Sequence, residues 1–328
     1  MTYSNHDRPT LARHNVDNLL KKGTPMKRRL TVLMTAIALT ASLAACSSGG
    51  ATASGATATA NPKAPVTVKV GVTDASQPYW QTFIGLAKKS GINVELQNFT
   101  DYQQPNPIVT QGGLQLNQFQ HLLFLASYNV SANADLVPIG ATAIYQLGLY
   151  TAKGYTSPAE IPKGGAVAIP NDPTNEGRAL LELQSAKLIT LKDGGNALST
   201  PAQIIASESR VNVVPVDANQ TVVQLKSLDA AVINNNFATD AGINPTTAIY
   251  SDLKNVKAAA PYINVWVVAA KDKNNPIYAQ LVKIYHEPAV IDELLAESKG
   301  TAVAANETPA QLQSILSGLE SDIKAGKA

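Results

Sequence analysis

The stretch AVAIPNDPTNEGRALLELQSAKLI, residues 166–189, turns a strand into a helix and places charged and amide side chains at the turn. Ala166 to Ile169 is a short apolar run of the kind a buried strand needs, and Pro170 closes it. Asp172 followed by Pro173 reads as a helix N-cap and a first helical residue. On that register Asn175 and Arg178 are three apart and share one face of the opening turns. The free N–H groups and positive dipole end of a helix favour an anion there. A guanidinium beside them adds two-pronged recognition of a carboxylate. In open α/β sheets the carboxyl end of a strand is also where ligands bind. The plainer alternative pairs Arg178 with a surface acid such as Glu182, four residues on, and spacing alone does not choose between the two.

Working outward, strand-like and helix-like runs alternate. Val66 to Val72 is a run rich in β-branched residues and is expected to be buried on both faces. A helix is expected over Tyr79 to Lys89, with two lysines in its last turn and Gly91 as its stop. Strands are expected at Ile92–Leu96, Ala134–Ile139, Ile144–Tyr150, Ala166–Ile169, Val211–Val216, Ala230–Ile233 and Ile263–Ala269. Helices are expected from Pro173 and near Thr221, and from Pro276 to the end with breaks at Pro288 and Gly300. The alternation predicts an α/β fold with parallel sheets covered by helices on both faces. No internal repeat is visible.

The N-terminal part has a different logic. Lys27, Arg28 and Arg29 precede an apolar run, Leu30 to Leu43, which ends in Leu43-Ala44-Ala45-Cys46. The run is shorter than the roughly 20 residues that span a bilayer, and its flanks are those of a cleaved secretory signal over residues 26–45. Residues 1–25 fit nothing in that signal and read as an upstream extension from a start assigned too early. Leu-Ala-Ala-Cys resembles the bacterial lipobox, which would make Cys46 a lipidated first residue. Residues 46–65 join Cys46 to a stretch, 47–65, that is mostly Ser, Gly, Ala and Thr with a single charge, Lys63, and reads as a flexible tether reaching roughly 25 Å. Residues 1–45 hold seven of the 26 Lys+Arg and two of the 24 Asp+Glu, so the remainder carries 19 basic and 22 acidic groups, a net of −3. Nothing in that balance suggests a nucleic-acid footprint, which needs clustered Lys and Arg on the folded part. Cys46 is the only cysteine, and beyond residue 45 the histidines are His121 and His286, so neither a disulfide nor a histidine-rich zinc site is expected. No cofactor is implied.

Two further segments put polar groups beside apolar runs. Ala230 to Ile233 leads directly into Asn234-Asn235-Asn236-Phe237, where an amide can accept from an ammonium group and donate to a carboxylate, or merely end the strand. Phe119-Gln120-His121 precedes Leu122 to Leu125, a place where a histidine more often starts a helix or fills a core than binds a ligand.

In order along the chain stand KVGV (69–72), DYxxPN (101–106), NQFQH (117–121), NDPTNxGRALLxLQ (171–184), LKDG (191–194), AVINNNFA (231–238) and YINVWVV (262–268). The series resembles the methionine-binding lipoproteins of ABC importers, the NlpA or MetQ family. The resemblance implies a two-lobed, periplasmic-binding-protein-like (type II) fold with the ligand cleft between the lobes. It divides the chain into a first lobe of residues 66–148 plus 255–328 and a second of residues 149–254, hinged near Leu147–Ala152 and Tyr262–Val265. Carried onto this sequence, Arg178 would hold a ligand carboxylate and Asn175 and Asn234 the amino-acid head group. Tyr102, Phe119 and His121 would line the side-chain pocket, with Phe124 where the family usually has tyrosine. Gly113 and Gln115 replace acidic residues of the family pattern. The expectation is a non-enzymatic binding protein for methionine, L or D, or a related small amino acid, working with ABC permease and ATPase subunits. It would sit in the cell envelope outside the cytoplasm, anchored to the membrane through Cys46. A surface lipoprotein that binds proteins without transport is the alternative. An enzyme on the same fold is disfavoured, because no serine–base motif and no glycine-rich phosphate loop is present.

Overall fold

The computed structural model describes residues 65–252 and 259–327. The expected extension, signal, Cys46 and nearly all of the tether lie outside the described residues, as does the expected lobe boundary at Asn255.

The first sheet opens with β1 (Val66–Val72), followed by α1 (Tyr79–Lys89) and β2 (Ile92–Asn98). α2 (Pro105–Thr110), β3 (Leu116–His121), α3 (Leu122–Ala132) and β4 (Leu136–Ala141) complete this run. The chain then forms β5 (Ala143–Tyr145) and β6 (Leu147–Tyr150), and the second sheet adds β7 (Ala166–Pro170), α4 (Pro173–Ser185) and β8 (Asn212–Val216). Next come α5 (Thr221–Gln224), β9 (Ala230–Asn234), α6 (Asn235–Asp240) and β10 (Tyr250–Ser251). β11 (Asn264–Ala269) returns to the first sheet, and α7 (Pro276–Tyr285), α8 (Pro288–Ser298), β12 (Ala302–Ala304) and α9 (Pro309–Lys324) finish the chain. The strand orders are β2-β1-β3-β11-β4 and β10-β6-β9-β7-β8, with β12 and β5 forming a separate pair.

Both large sheets are mixed rather than parallel. β11 runs antiparallel to β3 and β4, and β6 runs antiparallel to β9 and β10. Each antiparallel strand enters its sheet from outside it, β6 from the β5–β12 pair and β11 from the second sheet, so its direction is set by that crossing and not by a βαβ turn. The expected single strand Ile144–Tyr150 is likewise two strands, broken at Gln146, and the two pair in different sheets. The largely apolar run hid the break at Gln146, because that residue and both flanking halves are mostly buried. β1 is buried on both faces only toward its end: Val68, Val70, Gly71 and Val72 are buried while Val66, Thr67 and Lys69 face solvent.

Under the first sheet Trp80, Phe83, Trp266 and Tyr285 pack edge to face or tilted, with centroids 5.5–6.0 Å apart. The second sheet is cored by Leu147, Leu149, Val167, Ile169, Leu180, Leu183 and Val232. These cores fix the carboxyl ends of β3, β7 and β9, where α3, α4 and α6 begin. Among the described residues no helix is long and apolar enough to cross a membrane.

Candidate functional site

Tyr102, Phe119, His121, Phe124, Asn175, Arg178 and Asn234, the seven candidate binding residues, all line one cavity of about 90 Å³. One water needs roughly 10–15 Å³ on that measure, so the space suits a ligand of several heavy atoms.

Arg178 enters from the second turn of α4. Its N-cap Asp172 accepts from the Asn175 N–H at 3.0 Å, as the Asp-Pro pair predicts. The guanidinium does not pair with Glu182. Its Nε donates to Asp252 Oδ2 at 2.5 Å, its Nη2 donates to the Tyr145 carbonyl at 2.8 Å, and it lies 4.2 Å from the centre of the Tyr262 ring. Glu182 is buried rather than on the surface, with neither carboxylate oxygen hydrogen-bonded. Burial pushes its pKa well above the usual carboxylate range, and the neighbouring Asp252 adds to the rise while Arg178 opposes it.

An amide relay forms the next wall. Asp172 accepts from Asn175 Nδ2 with both oxygens, at 3.1 and 3.0 Å, which turns Asn175 Oδ1 the other way. That oxygen accepts from Asn234 Nδ2 at 3.0 Å and lies 3.4 Å from His121 Nε2. The relay leaves Asn234 Oδ1 buried and without a hydrogen-bond partner. A buried acceptor in that condition favours a ligand N–H. His121 is the N-cap of α3, its Nδ1 accepting from the Phe124 N–H at 3.1 Å, so Nε2 carries the proton and donates to Asn175. Burial, and secondarily the charge of Arg178, lower its pKa to about 3, and it is neutral at physiological pH.

The third wall is aromatic. The Tyr102 ring lies 6.0 Å from Phe119, 6.2 Å from Phe124 and 5.0 Å from Phe237. The Tyr102 hydroxyl donates to Asn236 Oδ1 at 2.5 Å, so its proton is committed within the protein and its ring is left to face a ligand. Asp74 lines the far end, where it accepts from the Tyr79 hydroxyl at 2.6 Å and from Trp80 Nε1 at 2.9 Å. Burial raises its pKa to about 6, despite those two bonds.

Several residues at or around the cavity were not singled out by the sequence: Asp252, Tyr145, Tyr262, Asn236, Phe237 and Asp74. Asn236 and Phe237 stand inside the INNNFA segment and Tyr262 inside YINVWVV, so the signal was present but undivided. Asp252 and the Tyr145 carbonyl carry no sequence signal of their own.

The sequence profile of the NlpA lipoprotein family matches residues 68–306. The chain belongs to the NlpA lipoprotein family. A probable D-methionine-binding lipoprotein MetQ of Haemophilus influenzae is 34% identical over 236 residues, 70% of this chain and 84% of that protein. Among solved structures, protein PG110 from Staphylococcus aureus superposes with a TM-score of 0.73 at 33% identity, covering 77% of this chain and 99% of that one. A nutrient binding protein from Burkholderia cenocepacia, solved bound to methionine, gives 0.65 at 38% identity over 73% and 99% of the two chains. The two-lobed α/β binding-protein fold expected from the sequence is therefore the fold of this NlpA family chain.

The three positions expected to depart from the NlpA pattern, Phe124, Gly113 and Gln115, fall on different parts of the molecule. Phe124 is at the cavity, 5.7 Å from Phe119, and adds a ring without a polar group to the aromatic wall. Gln115 lies away from the cavity, where its Oε1 accepts from the Lys69 N–H at 2.9 Å and its own N–H donates to the Lys69 carbonyl at 3.2 Å. A Cβ at Gly113 would come within 2.8 Å of Ile108, so this turn has no room for an acid without shifting that side chain.

Proposed function

We propose that this chain is the substrate-binding lipoprotein of an ABC importer and captures methionine, L or D, or a related small apolar amino acid. The observation that carries the reading is the meeting, in one cavity, of the Arg178 guanidinium, the unpartnered Asn234 carbonyl and the aromatic wall of Tyr102, Phe119 and Phe124. These three suit in turn a carboxylate, an ammonium and an apolar side chain. In this reading Asn175 aims Asn234, and His121 stays neutral and holds Asn175 from the other side. His121 has no capacity left for acid–base work, since both ring nitrogens are engaged. The protein binds and releases; it does not catalyse.

The ligand bridges two lobes, one carrying residues 66–148 and the C-terminal part, the other the middle of the chain. Closure over the ligand presents the solute to permease and ATPase subunits, and lipidated Cys46 holds the protein at the membrane outside the cytoplasm. Calorimetric titration of the mature protein against a panel of L- and D-amino acids tests the ligand. Methionine should bind well ahead of Asp, Glu, Lys and Arg, and should be recovered unchanged by mass spectrometry. A preferred charged side chain, or a chemically altered solute, would overturn the reading. Changing Cys46 to Ala should release the protein from membranes or stall its precursor. Membrane association unaltered by that change would end the anchor assignment.

A further inference from the structure

Asp252 is not part of the cavity wall, yet it grips the residue on which the proposed function turns. Its Oδ2 accepts from Arg178 Nε at 2.5 Å, and its Oδ1 accepts from the Leu147 backbone N–H at 2.9 Å. Arg178 in turn donates from Nη2 to the Tyr145 carbonyl at 2.8 Å. Tyr145 ends β5 and Leu147 begins β6, so the ion pair takes hold of the chain on both sides of Gln146. Gln146 is where the chain leaves the β5–β12 pair for the second sheet. It is buried, its N–H donates to the Thr301 carbonyl at 3.0 Å, and its Nε2 donates to the Pro245 carbonyl at 2.7 Å. Asp252 also directly follows β10, the last strand of the second sheet before the chain returns to β11 in the first.

We infer that Asp252 is a positioning residue: it orients the Arg178 guanidinium for the ligand carboxylate and couples occupancy of that group to the crossing at Gln146. The inference rests on the proposed function, in that a ligand carboxylate meets Arg178. A guanidinium carries five N–H donors in a rigid plane, so fixing Nε and one Nη2 hydrogen fixes the other three. Those three are then oriented before the ligand arrives, which removes an ordering cost from binding. Whatever displaces the plane pulls on the Leu147 N–H through Asp252 and on the Tyr145 carbonyl directly. Glu182 faces the same pair, buried and with no hydrogen bond to either member. Its protonated form leaves the Arg178–Asp252 charges balanced, and Tyr150 and Tyr250 are the other titratable groups near it.

The test is Asp252→Asn in the mature chain. An amide offers one carbonyl oxygen instead of two, so it cannot serve Arg178 Nε and the Leu147 N–H together. Asparagine keeps the shape of aspartate and, through Oδ1, one of its two hydrogen bonds, so the fold should survive. L-Methionine and L-methioninamide, whose carboxylate is replaced by a neutral group, are titrated into wild type and variant. The variant should bind methionine at least about tenfold more weakly, with its affinity for the amide and its ligand-free melting temperature nearly unchanged. In wild type, methionine should slow hydrogen exchange at the Leu147 amide and the methioninamide should not, a measurement that needs no variant. Equal losses for both ligands, unchanged methionine affinity, or a Leu147 amide indifferent to methionine would each overturn the inference. A wild type that does not prefer methionine over its amide would instead overturn the Arg178–carboxylate reading beneath it, so the two failures are told apart.

Discussion

Arg178 and Glu182 stand one helical turn apart on α4, and burial sets them opposite tasks. Arg178 is buried with Asp252 as counter-charge, so truncation leaves two uncompensated carboxylates in the liganded protein, that of Asp252 and that of the solute. Arg178→Ala should weaken methionine binding by roughly 2–5 kcal/mol, about thirtyfold to several thousandfold. Arg178→Lys keeps the charge but loses the fork, and should recover only part of that in calorimetric titration. Affinity unchanged in the Ala variant would remove Arg178 from the site. Glu182 affects stability through pH. Its folded-state pKa is raised, chiefly by burial, so above the unfolded value of roughly 4.3 the unfolded chain gives up a proton that the folded chain keeps. Stability therefore falls as pH rises from there toward the folded pKa. Glu182→Gln, which cannot ionise, should match wild type in melting temperature near pH 4 and exceed it increasingly toward pH 8. A gap that does not widen with pH would mean that Glu182 is ionised in the fold.

At the scale of elements, α4 shows why the NDPTNEGR segment was readable and its surroundings were not. The Asp-Pro cap, the strand before it and the shared face of Asn175 and Arg178 are local, within one turn of each other, and the structure places each where the spacing puts it. The break at Gln146 and the antiparallel entry of β6 and β11 depend on which sheet a strand joins, and no local pattern records that. Asp252 is invisible for the same reason: its partners are 74 and 105 residues away. Gly177 combines both kinds of information. Glycine inside a helix costs about 1 kcal/mol relative to alanine, which makes it a poor choice by propensity. A Cβ there, however, would stand 2.2 Å from the Ala197 carbonyl oxygen, so the loop packed on α4 leaves no room for one. The clash is with backbone, which cannot step aside as a side chain tip can. Gly177→Ala should therefore destabilise the protein by about 1–3 kcal/mol in denaturant titration in spite of its better propensity. A stabilised variant would show that the 197 loop moves freely away from α4.

For the whole molecule, bonds at the rim of the cavity join segments that follow strands of different sheets. Ser76, after β1, donates from Oγ to Asp240 Oδ1 at 2.8 Å, and Gln77 Nε2 reaches the same oxygen at 3.5 Å. Asn219, after β8, donates to the carbonyl of Thr100, after β2, at 3.0 Å. Asn236 joins Tyr102 to the carbonyl of Thr73. If the two sides part, as the proposed hinge would allow, these contacts are lost. If the proposed hinge opens, each rim bond sets the fraction of molecules that are closed before ligand arrives. Apparent affinity falls in proportion to that fraction, even when the cavity itself is unaltered. Asp240 is the cleanest place to ask, because its carboxylate serves the rim and it is not among the cavity-lining residues. An exposed hydrogen bond to a charged group contributes on the order of 1 kcal/mol, so Asp240→Ala should weaken methionine binding by roughly fivefold. Small-angle scattering should find the ligand-free variant more expanded than ligand-free wild type, and saturating methionine should bring both to one radius. Unchanged affinity together with an unchanged ligand-free radius would mean that the rim bonds do not bias closure, and that affinity is set inside the cavity alone.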